Sequence, residues 1–292
     1  MARVDADVHG LLIADKPAGV TSHDVVAQTR RRFGTRRVGH AGTLDPSATG
    51  VLVLGLGKAT RLLTYLVGDD KDYAATIRLG ASTTTDDAEG EVISVADVSQ
   101  IAALTDDAIN LAVMALTGEI LQRPSSVSAI KINGQRAYSK VRAGEEVDIA
   151  PRPVTVYEFS VDEVRRGEES VDVDVRVRVS SGTYVRALAR DLGNALGVGG
   201  HLTALRRTRS GRFSVADVAD ELVPLGTALS QAMPAFALTA EQVIDVRYGR
   251  SVAAPDSTGG TVGPVGLMDA HGDAIAIAEA REGRFVPKVV FT

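Results

Sequence analysis

The clearest periodic pattern in the chain lies at residues 171–179, where a valine occupies every second position. The residues between the valines are charged: Asp172, Asp174, Arg176 and Arg178. A period of two with one apolar face predicts a half-buried β-strand. Ser181-Gly182-Thr183 then breaks the strand, and apolar residues recur at helical spacing from Val185 to Leu196. The pattern predicts a strand that leads directly into a helix whose first turn carries Tyr184 and Arg186.

Two segments near the N-terminus also carry regular patterns. Residues 11–14 form a short apolar run followed by turn residues, which predicts a buried strand. Thr21 and Ser22 are N-cap candidates for the next element. Apolar residues then recur at helical spacing as far as Phe33, and Gly34 is a typical residue for the end of a helix.

The composition of residues 39–50, GHAGTLDPSATG, predicts no regular secondary structure there, because Gly, Pro, Ser and Thr dominate it. The following patterns predict a strand at 51–56, a short helix at 58–66 and a strand at 73–79. Further elements are predicted as a helix at 105–117, a strand at 128–132 with a tight turn at 133–134, a strand at 154–161, and a helix at 216–233 interrupted near Pro224.

This order of elements predicts a mixed α+β protein with a substantial antiparallel sheet. The character of the chain changes from about residue 238. A segment rich in Gly, Pro and Ser at 252–264 precedes two short strands, at 274–278 and 285–291. We therefore expect two domains in the 292 residues, at 1–237 and at 238–292, the second small and rich in β-structure.

The composition excludes several kinds of site. The chain has no Cys, which rules out a disulfide framework, a thiolate nucleophile and a Cys-ligated zinc site. Its five His are scattered without helical pairing, so we expect no metal. Acidic residues near the N-terminus argue against a signal peptide, and no apolar window approaches about 18 residues. We therefore expect a cytoplasmic protein without membrane spans.

The net charge of −5 argues weakly against nucleic-acid binding, but the arginines are clustered at residues 30–37 and 206–212. Basic patches on an acidic protein can follow a phosphate backbone, and solvated basic faces are the alternative.

The loop at 39–50 surrounds one carboxylate, Asp45, with small residues that leave room for a substrate. Its composition alone favours a simple Asp-Pro turn. His40, in the same loop, is compatible with a base, a stacking group or a structural residue.

Gly39–Leu52 resembles the signature loop of the TruB family of tRNA pseudouridine synthases. Four more blocks resemble the family and follow its order: Lys16–Ser22, Lys71-Asp72-Tyr73, Ser181–Arg186 and His201–Thr208. The resemblance spans residues 11–215. Agreement of five ordered blocks makes a simple turn a poor explanation for Asp45.

The resemblance implies a pseudouridine-synthase-like fold, with a central mixed, largely antiparallel sheet, a cleft and flanking helices. It also implies a reduced PUA-like RNA-binding domain at the C-terminus, where Arg247–Ser251 resemble the start of such a module. The implied activity is isomerisation of the T-loop uridine at position 55 of tRNA to pseudouridine. This reaction has no net redox change, and neither a cofactor nor a metal is expected.

The resemblance implies a role for each candidate site residue. Asp45 would be the catalytic carboxylate, Arg186 its guanidinium partner, and Tyr73 a ring that stacks on the uracil. Leu205 would close the pocket, and Lys16 would support the loop.

The implied partner is the T stem-loop of tRNA, whose target base must be extruded before it can react. The residues expected to contact this RNA or its flipped uridine are His40, Tyr184, Leu205, Lys16, Arg206 and Arg207.

Other interpretations remain open at this stage. A non-catalytic tRNA-binding or folding factor would bind the same loop without turnover. A glycosidase would need a second acid near Asp45, for which Asp86, Asp87 and Glu89 are candidates. Archaeal and eukaryotic relatives work in guide-RNA particles, but this chain lacks long basic tails. We therefore expect a monomer that needs no obligatory protein partner.

Overall fold

The computed structural model describes residues 6–125, 131–132, 135–136, 149–255 and 262–291. Within these residues a ten-stranded mixed sheet forms the larger part of the molecule. Its strands are β1 (Gly10–Lys16), β2 (Val38–Ala41), β3 (Thr49–Leu56), β4 (Lys71–Leu79), β7 (Gly118–Gln122), β10 (Arg152–Arg166), β11 (Val171–Val179), β12 (Gly200–Ser210), β13 (Phe213–Ser214) and β14 (Val223–Pro224).

The strand order is β14-β1-β3-β12-β4-β11-β10-β7, with β2 beside β3 and β13 beside β12. Among the described strands of this large sheet, only β3 and β12 pair in parallel, so the expected mixed, largely antiparallel sheet is confirmed. Two short hairpins lie outside it: β5 (Ala81–Thr83) with β6 (Val92–Val95), and β8 (Lys131–Ile132) with β9 (Gln135–Arg136). The rest of the predicted strand at 128–132 and its turn at 133–134 lie outside the described residues.

The alternating valines of β11 behave as the sequence predicts. All five are buried, and they pack in the largest core cluster against the helices on that face. The helices of the large domain are α1 (Ser22–Phe33), α2 (Leu63–Leu66), α3 (Val98–Ala102), α4 (Asp106–Ala115) and α5 (Val185–Ala195). The direct step from β11 into α5 therefore follows from the change of apolar period.

Helix α1 has the ends that its sequence predicts. The Thr21 side chain accepts a hydrogen bond from the backbone N–H of Asp24, whose carboxylate accepts one from the Thr21 N–H. This capping box satisfies two of the amide groups that the first turn leaves unpaired. At the other end Gly34 adopts φ 64°, a conformation that an L-residue with a side chain rarely accepts.

The C-terminal domain is built on a second sheet with the order β15-β17-β18-β19-β16. Its elements are α6 (Leu225–Ala232), β15 (Ala235–Ala237), α7 (Ala240–Arg247), β16 (Val252–Ala253), β17 (Gly263–Met268), β18 (Ala274–Arg281) and β19 (Arg284–Val290). The expected β-rich character is present. Because β15 pairs with β17, this sheet begins at Ala235.

The two sheets share one apolar core. Leu229 of α6, Ile277 of β18 and Phe291 belong to the same buried cluster as Leu11 and Ile13 of β1. The C-terminal domain therefore covers one side of the strands that lead to the loop at 42–48.

Two predictions about local structure are wrong. The segment at 39–50 is not wholly irregular, because Val38–Ala41 pairs with β3 and Thr49 already belongs to β3. The helix expected at 216–233 forms only from Leu225 onward. Before it, Val223 pairs with Leu11 at the sheet edge, so pairing with β1 overrides the apolar helical spacing.

Other differences are smaller. The predicted helix at 58–66 is split into a 3₁₀ turn at Gly57–Arg61 and α2. Sequence patterns did not indicate α3, α7 or β17. In the part of the chain that the structure describes, no helix has the length and apolar character needed to cross a membrane.

The shared core predicts that the two domains unfold together. Leu229→Ala removes a fully buried side chain at their junction and is expected to cost about 2–5 kcal/mol. Urea unfolding followed by circular dichroism would measure this as one transition with a lower midpoint. The exposed Val262→Ala variant should stay within about 0.5 kcal/mol of the parent protein. Separate transitions for the two domains would contradict a shared core.

Candidate active site

Asp45 lies in the irregular loop at 42–48, between β2 and β3. Ser22, at the start of α1, fixes Leu44, the residue that precedes Asp45. The Ser22 hydroxyl donates to the Leu44 carbonyl at 3.1 Å and accepts from the Leu44 N–H at 2.9 Å. Because Ser22 is buried, water cannot replace these bonds, and the loop is held to α1 on one side of Asp45.

Lys16 fixes the other side of Asp45. Its side chain is completely buried, and Nζ donates to the carbonyls of Pro17, Val20 and Pro46 at 2.9, 2.7 and 3.0 Å. All three hydrogens of the ammonium are used within the protein. Burial lowers the pKa of Lys16. This geometry gives Lys16 the loop-supporting position and leaves it no surface for direct RNA contact.

Arg186 meets Asp45 from the first turn of α5. Its Nε lies 2.9 Å from Oδ2 of Asp45, and its Nη1 donates to the Thr85 carbonyl at 2.9 Å. Asp87 contributes a second carboxylate, with Oδ2 3.6 Å from Nη1. The Arg186 side chain is 6% exposed and that of Asp45 is 39% exposed. The buried guanidinium therefore holds Asp45 in a fixed position, while the Asp45 carboxylate stays open to the cleft.

The acidic turn at 83–91 holds Asp87 in place. One Asp87 oxygen accepts from the Thr85 hydroxyl at 2.5 Å and from the Glu89 N–H at 3.1 Å. Asp86, beside it, adopts φ 60° and accepts from Arg190 at 3.2 Å. The sequence offered these acids only as candidate partners of Asp45. No local pattern in the sequence indicated that Asp87 and Thr85 would position Arg186.

Asp45, Tyr73, Arg186, Tyr184, Leu205 and Arg207 line one cavity of about 260 Å³. The other residues of its wall are Gly42, Thr43, Leu44, Val67, Lys71, Ser181, Gly182, Thr183 and Val185. The cavity is close in size to the smaller pockets that bind ligands. It has an apolar side, from Leu205, Val67 and the Tyr73 ring, and a charged side at Asp45 and Arg186.

Tyr73 and Tyr184 occupy different parts of the wall. Tyr73 is on β4, buried, and its pKa is raised by burial, against the opposing effect of Arg207, which is within hydrogen-bonding reach of its hydroxyl. Tyr184 precedes α5, and its backbone N–H and carbonyl are both bound by the Gln122 side chain, at 2.8 and 3.1 Å. Gln122 on β7 therefore fixes the strand-to-helix step next to Arg186.

His40 and Arg206 are not in the wall of this cavity. The ring of His40 contacts that of His23 edge-on, with 5.6 Å between centroids and 82° between planes. The pKa of His40 is lowered, first by burial and then by His23. Arg206 forms two hydrogen bonds to Asp15, at 3.0 and 2.7 Å.

The arginine clusters are less available than their sequence suggests. Arg207 is completely buried, and Arg209 is paired with Asp70 and Asp72. In the first cluster Arg32 binds Asp220 at 2.7 Å. Much of the positive charge at 206–212 is therefore buried or paired with carboxylates of the protein itself. Among the described residues, no group of three or more His, Asp or Glu side chains has the arrangement of a metal site.

Comparison with known proteins gives a consistent assignment for residues 30–230. Residues 30–185 match the family described as TruB family pseudouridylate synthase (N terminal domain). Residues 186–230 match the tRNA pseudouridylate synthase B C-terminal domain.

Similar curated proteins cover almost the whole sequence. The chain is 54% identical over 294 residues to tRNA pseudouridine synthase B of Thermobifida fusca (strain YX), covering 97% of this chain and 98% of that protein. It is 57% identical over 260 residues to tRNA pseudouridine synthase B of Paenarthrobacter aurescens (strain TC1), covering 86% and 83%.

Among solved structures, the Cbf5 chain of a Cbf5-Nop10-Gar1 complex is similar, with a TM-score of 0.70 and 29% identity over 97% of this chain and 85% of that one. An H/ACA RNP bound to a substrate RNA containing 2'-deoxyuridine matches with a TM-score of 0.69 and 26% identity, with the same coverage.

The Ser22 clamp predicts a stability effect. Ser22→Ala leaves the N–H and carbonyl of Leu44 without their partner in a buried position and should cost about 1–3 kcal/mol. Gln28→Ala, an exposed change on the same helix, is the matched control. Chemical denaturation of the three proteins would compare their free energies of unfolding. Equal values for Ser22→Ala and the control would show that the clamp contributes nothing.

His40 predicts a dependence of stability on pH. Its pKa is lower in the folded protein than in the unfolded chain, so the unfolded chain binds more protons as the pH falls below about 6.5. The contribution of neutral His40 is therefore present at higher pH and is lost as the pH falls toward its folded pKa. The urea midpoint should drop less between pH 7.5 and 5.5 in His40→Gln than in the parent protein. His271→Gln, at an exposed turn, should keep the parental response.

Proposed function

The chain belongs to the TruB family of pseudouridine synthases, and we propose that it isomerises the T-loop uridine at position 55 of tRNA with Asp45 as the catalytic carboxylate. The observation that carries this proposal is the ion pair of 2.9 Å between Asp45 and the buried Arg186, at the wall of a cavity with an aromatic side. The relatives named tRNA pseudouridine synthase B support tRNA as the substrate.

The reaction needs an oxygen nucleophile or a fixed negative charge beside the reacting nucleotide. The N1–C1′ bond of uridine breaks, the uracil ring turns and C5 bonds to C1′. The hydrogen on C5 is lost as a proton, and N1 takes up a proton. Asp45 can attack C1′ or add to the ring, and a fixed carboxylate suits both routes. Arg186 favours the ionised form of such a carboxylate and orients it.

Asp87 acts as a positioning residue in this proposal. It lies against Nη1 of Arg186, on a turn whose own hydrogen bonds fix it, and Thr85 adds a carbonyl. The guanidinium cannot rotate away from Asp45 without losing these partners. This arrangement does not favour the glycosidase alternative, because Asp87 is buried against Arg186 and is not positioned as a separate acid.

Tyr73 and Leu205 supply the flat apolar surfaces that a uracil ring needs. The raised pKa of Tyr73 keeps its hydroxyl neutral at physiological pH, so the ring can stack on the base without adding charge. Stacking of a base on an aromatic side chain contributes about 1–3 kcal/mol, which helps to offset the cost of extruding the uridine.

His40 lies on β2, outside the cavity wall and next to His23. We propose that it occupies the space that the extruded base leaves or contacts a neighbouring nucleotide. Arg31 and Arg37 are exposed and extend a basic surface from the end of α1. In the C-terminal domain, Tyr248 is exposed and lies beneath the guanidinium of Arg250 at 5.6 Å, a combination suited to RNA.

We propose further that the chain acts on tRNA as a monomer, in the cytoplasm, without a guide RNA or protein partner. The alternative, a folding factor that binds tRNA without turnover, is not favoured. Such a factor has no need for a carboxylate whose geometry is fixed by a buried guanidinium.

The test uses an unmodified tRNA transcript labelled with tritium at uracil C5, with no cofactor or other macromolecule added. The parent protein should release tritium at one T-loop uridine, because C5 loses its hydrogen when it bonds to C1′. Asp45→Asn should abolish release and leave tRNA affinity within roughly tenfold, since Asp45 acts on the reacting atoms rather than on docking.

Asp107→Asn, an exposed change at the start of α4, is the matched control and should keep full activity. Tight tRNA binding without tritium release by the parent protein would favour the folding factor or a need for a partner. A large loss of tRNA binding in Asp45→Asn would overturn the proposed division of roles.

A further inference from the structure

Two buried cations, Lys71 and Arg207, lie in the wall of the same cavity and have no part in the reaction described above. Lys71 is 6% exposed and Arg207 is 0% exposed. Lys71 begins β4, two residues before Tyr73, and Arg207 is on the neighbouring strand β12, directly opposite Tyr73. Both charges therefore lie at the side of the cavity where the Tyr73 ring is found.

Within the described part of the chain, both side chains donate to neutral carbonyl oxygens. Lys71 Nζ donates to the carbonyls of Val67 and Asp69, at 3.1 and 2.5 Å. Arg207 donates to the carbonyls of Val51 and Gly42, at 2.7 and 3.2 Å. Among the residues that the structure describes, neither cation has a carboxylate within ion-pair distance.

Buried cations without a paired carboxylate are costly, and buried charges are usually paired. The hydrogen bonds to carbonyl oxygens do not explain why these residues are positively charged, because a neutral donor could form the same hydrogen bonds. An ammonium also has three hydrogens, and two are used by the carbonyls of Val67 and Asp69. Among the described residues the third hydrogen has no hydrogen-bond acceptor, and Lys71 belongs to the cavity wall.

The two cations are neighbours of the Asp45 loop as well as of the cavity. Gly42 has φ 86°, and a methyl group placed on its Cα would lie 3.3 Å from Cε of Lys71 and 3.5 Å from Nη1 of Arg207. The pKa of Lys71 is lowered, first by burial and then by Arg207, against the opposing effect of Asp69 and Asp70. The positive charges of Lys71 and Arg207 therefore lie close together, beside the same part of the cavity.

The charges around the cavity do not cancel. In the described wall three cations, Lys71, Arg207 and Arg186, face one carboxylate, Asp45, which is paired with Arg186. Asp87 also pairs with Arg186, and Asp69 and Asp70 act on Lys71 from outside the wall. The opposite side, beneath Tyr73, is left positive. A neutral uridine gains little from such a field, whereas a ring that becomes negative during the reaction is stabilised by it.

We propose that Lys71, with Arg207 behind it, stabilises negative charge on the uracil ring while the N1–C1′ bond is broken. This inference rests on the proposed function. As the bond breaks, its electron pair goes to N1 and is shared with O2 and O4, and C1′ is taken by the Asp45 carboxylate. If Asp45 instead adds to C6, the ring again carries the negative charge, on O4. The charge disappears when C5 bonds to C1′ and the Asp45 carboxylate is released. The proton then lost from C5 is balanced by a proton that N1 takes up, so no other reactant is needed.

The test compares two tRNA transcripts, one with uridine and one with 5-fluorouridine, in single-turnover reactions with excess enzyme. Fluorine at C5 makes the uracil anion intrinsically more stable, so the reaction depends less on the protein for its stabilisation. Nuclease digestion and chromatography would measure how much of the starting nucleoside is lost at the target position. Tritium release cannot be used here, because the fluorinated ring has no C5 proton to lose.

Lys71→Met should slow the reaction of the uridine transcript about 100-fold, the usual effect of removing one donor to a developing anion. The same variant should slow the 5-fluorouridine transcript on the order of tenfold or less, with tRNA affinity unchanged. Lys288→Met removes an exposed lysine of the C-terminal domain and should slow neither reaction. Lys71→Gln keeps a hydrogen-bond donor without the charge and should behave like Lys71→Met.

Equal slowing of the two transcripts by Lys71→Met would overturn the inference, because a distorted or partly unfolded site affects both substrates alike. Parental rates in Lys71→Gln would also overturn it, since hydrogen bonding without charge would then suffice. Failure of the parent protein to convert either transcript would instead count against the proposed function itself.

Discussion

The pairing of a buried guanidinium with a partly open carboxylate is the constraint on which the site depends. Arg186 is buried at the start of α5, and a buried charge that is left unpaired is costly. Asp45 and Asp87 compensate it from two loops that are far apart in sequence. Because each loop loses a strong interaction if it moves, this one side chain fixes both of them relative to the sheet.

The loop that carries Asp45 could not hold its shape by backbone pairing alone. Its residues from 42 to 48 belong to no strand or helix, so their polar groups need other partners. Buried donors supply them: Lys16 binds the Pro46 carbonyl, Ser22 binds Leu44, and Arg207 binds Gly42. The carboxylate is therefore fixed before a substrate arrives, which lowers the reorganisation that the reaction requires.

Periodic patterns predicted the parts of the fold whose structure depends on local residues. The alternation at 171–179 and the capped helix ending at Gly34 are confirmed because one face of each is buried and their ends have specific turn chemistry. The helix expected across residues 216–224 was wrong because pairing with β1 decided that segment. Tertiary contacts of this kind leave no mark on the spacing of apolar residues.

The site was less accessible to sequence reasoning than the fold. Composition alone favoured an Asp-Pro turn at Asp45, and only the resemblance to a family joined it to Tyr73 and Arg186. The structure brings these three residues to one cavity. Local sequence also gave no sign that Lys71 is buried without a carboxylate, since the burial of a charged side chain depends on strands distant in sequence.

The distribution of charge explains how a protein with a net charge of −5 can suit a polyanionic substrate. Arginines on the outer face of the sheet are paired across strands: Arg78 with Asp172, Arg165 with Asp174, Arg176 with Asp162, and Arg178 with Asp70. Exposed pairs of this kind add little stability and little field at a distance, because water and salt screen them. Buried cations at the cavity are screened far less. Their placement, rather than the total charge, sets the potential that a flipped nucleotide meets.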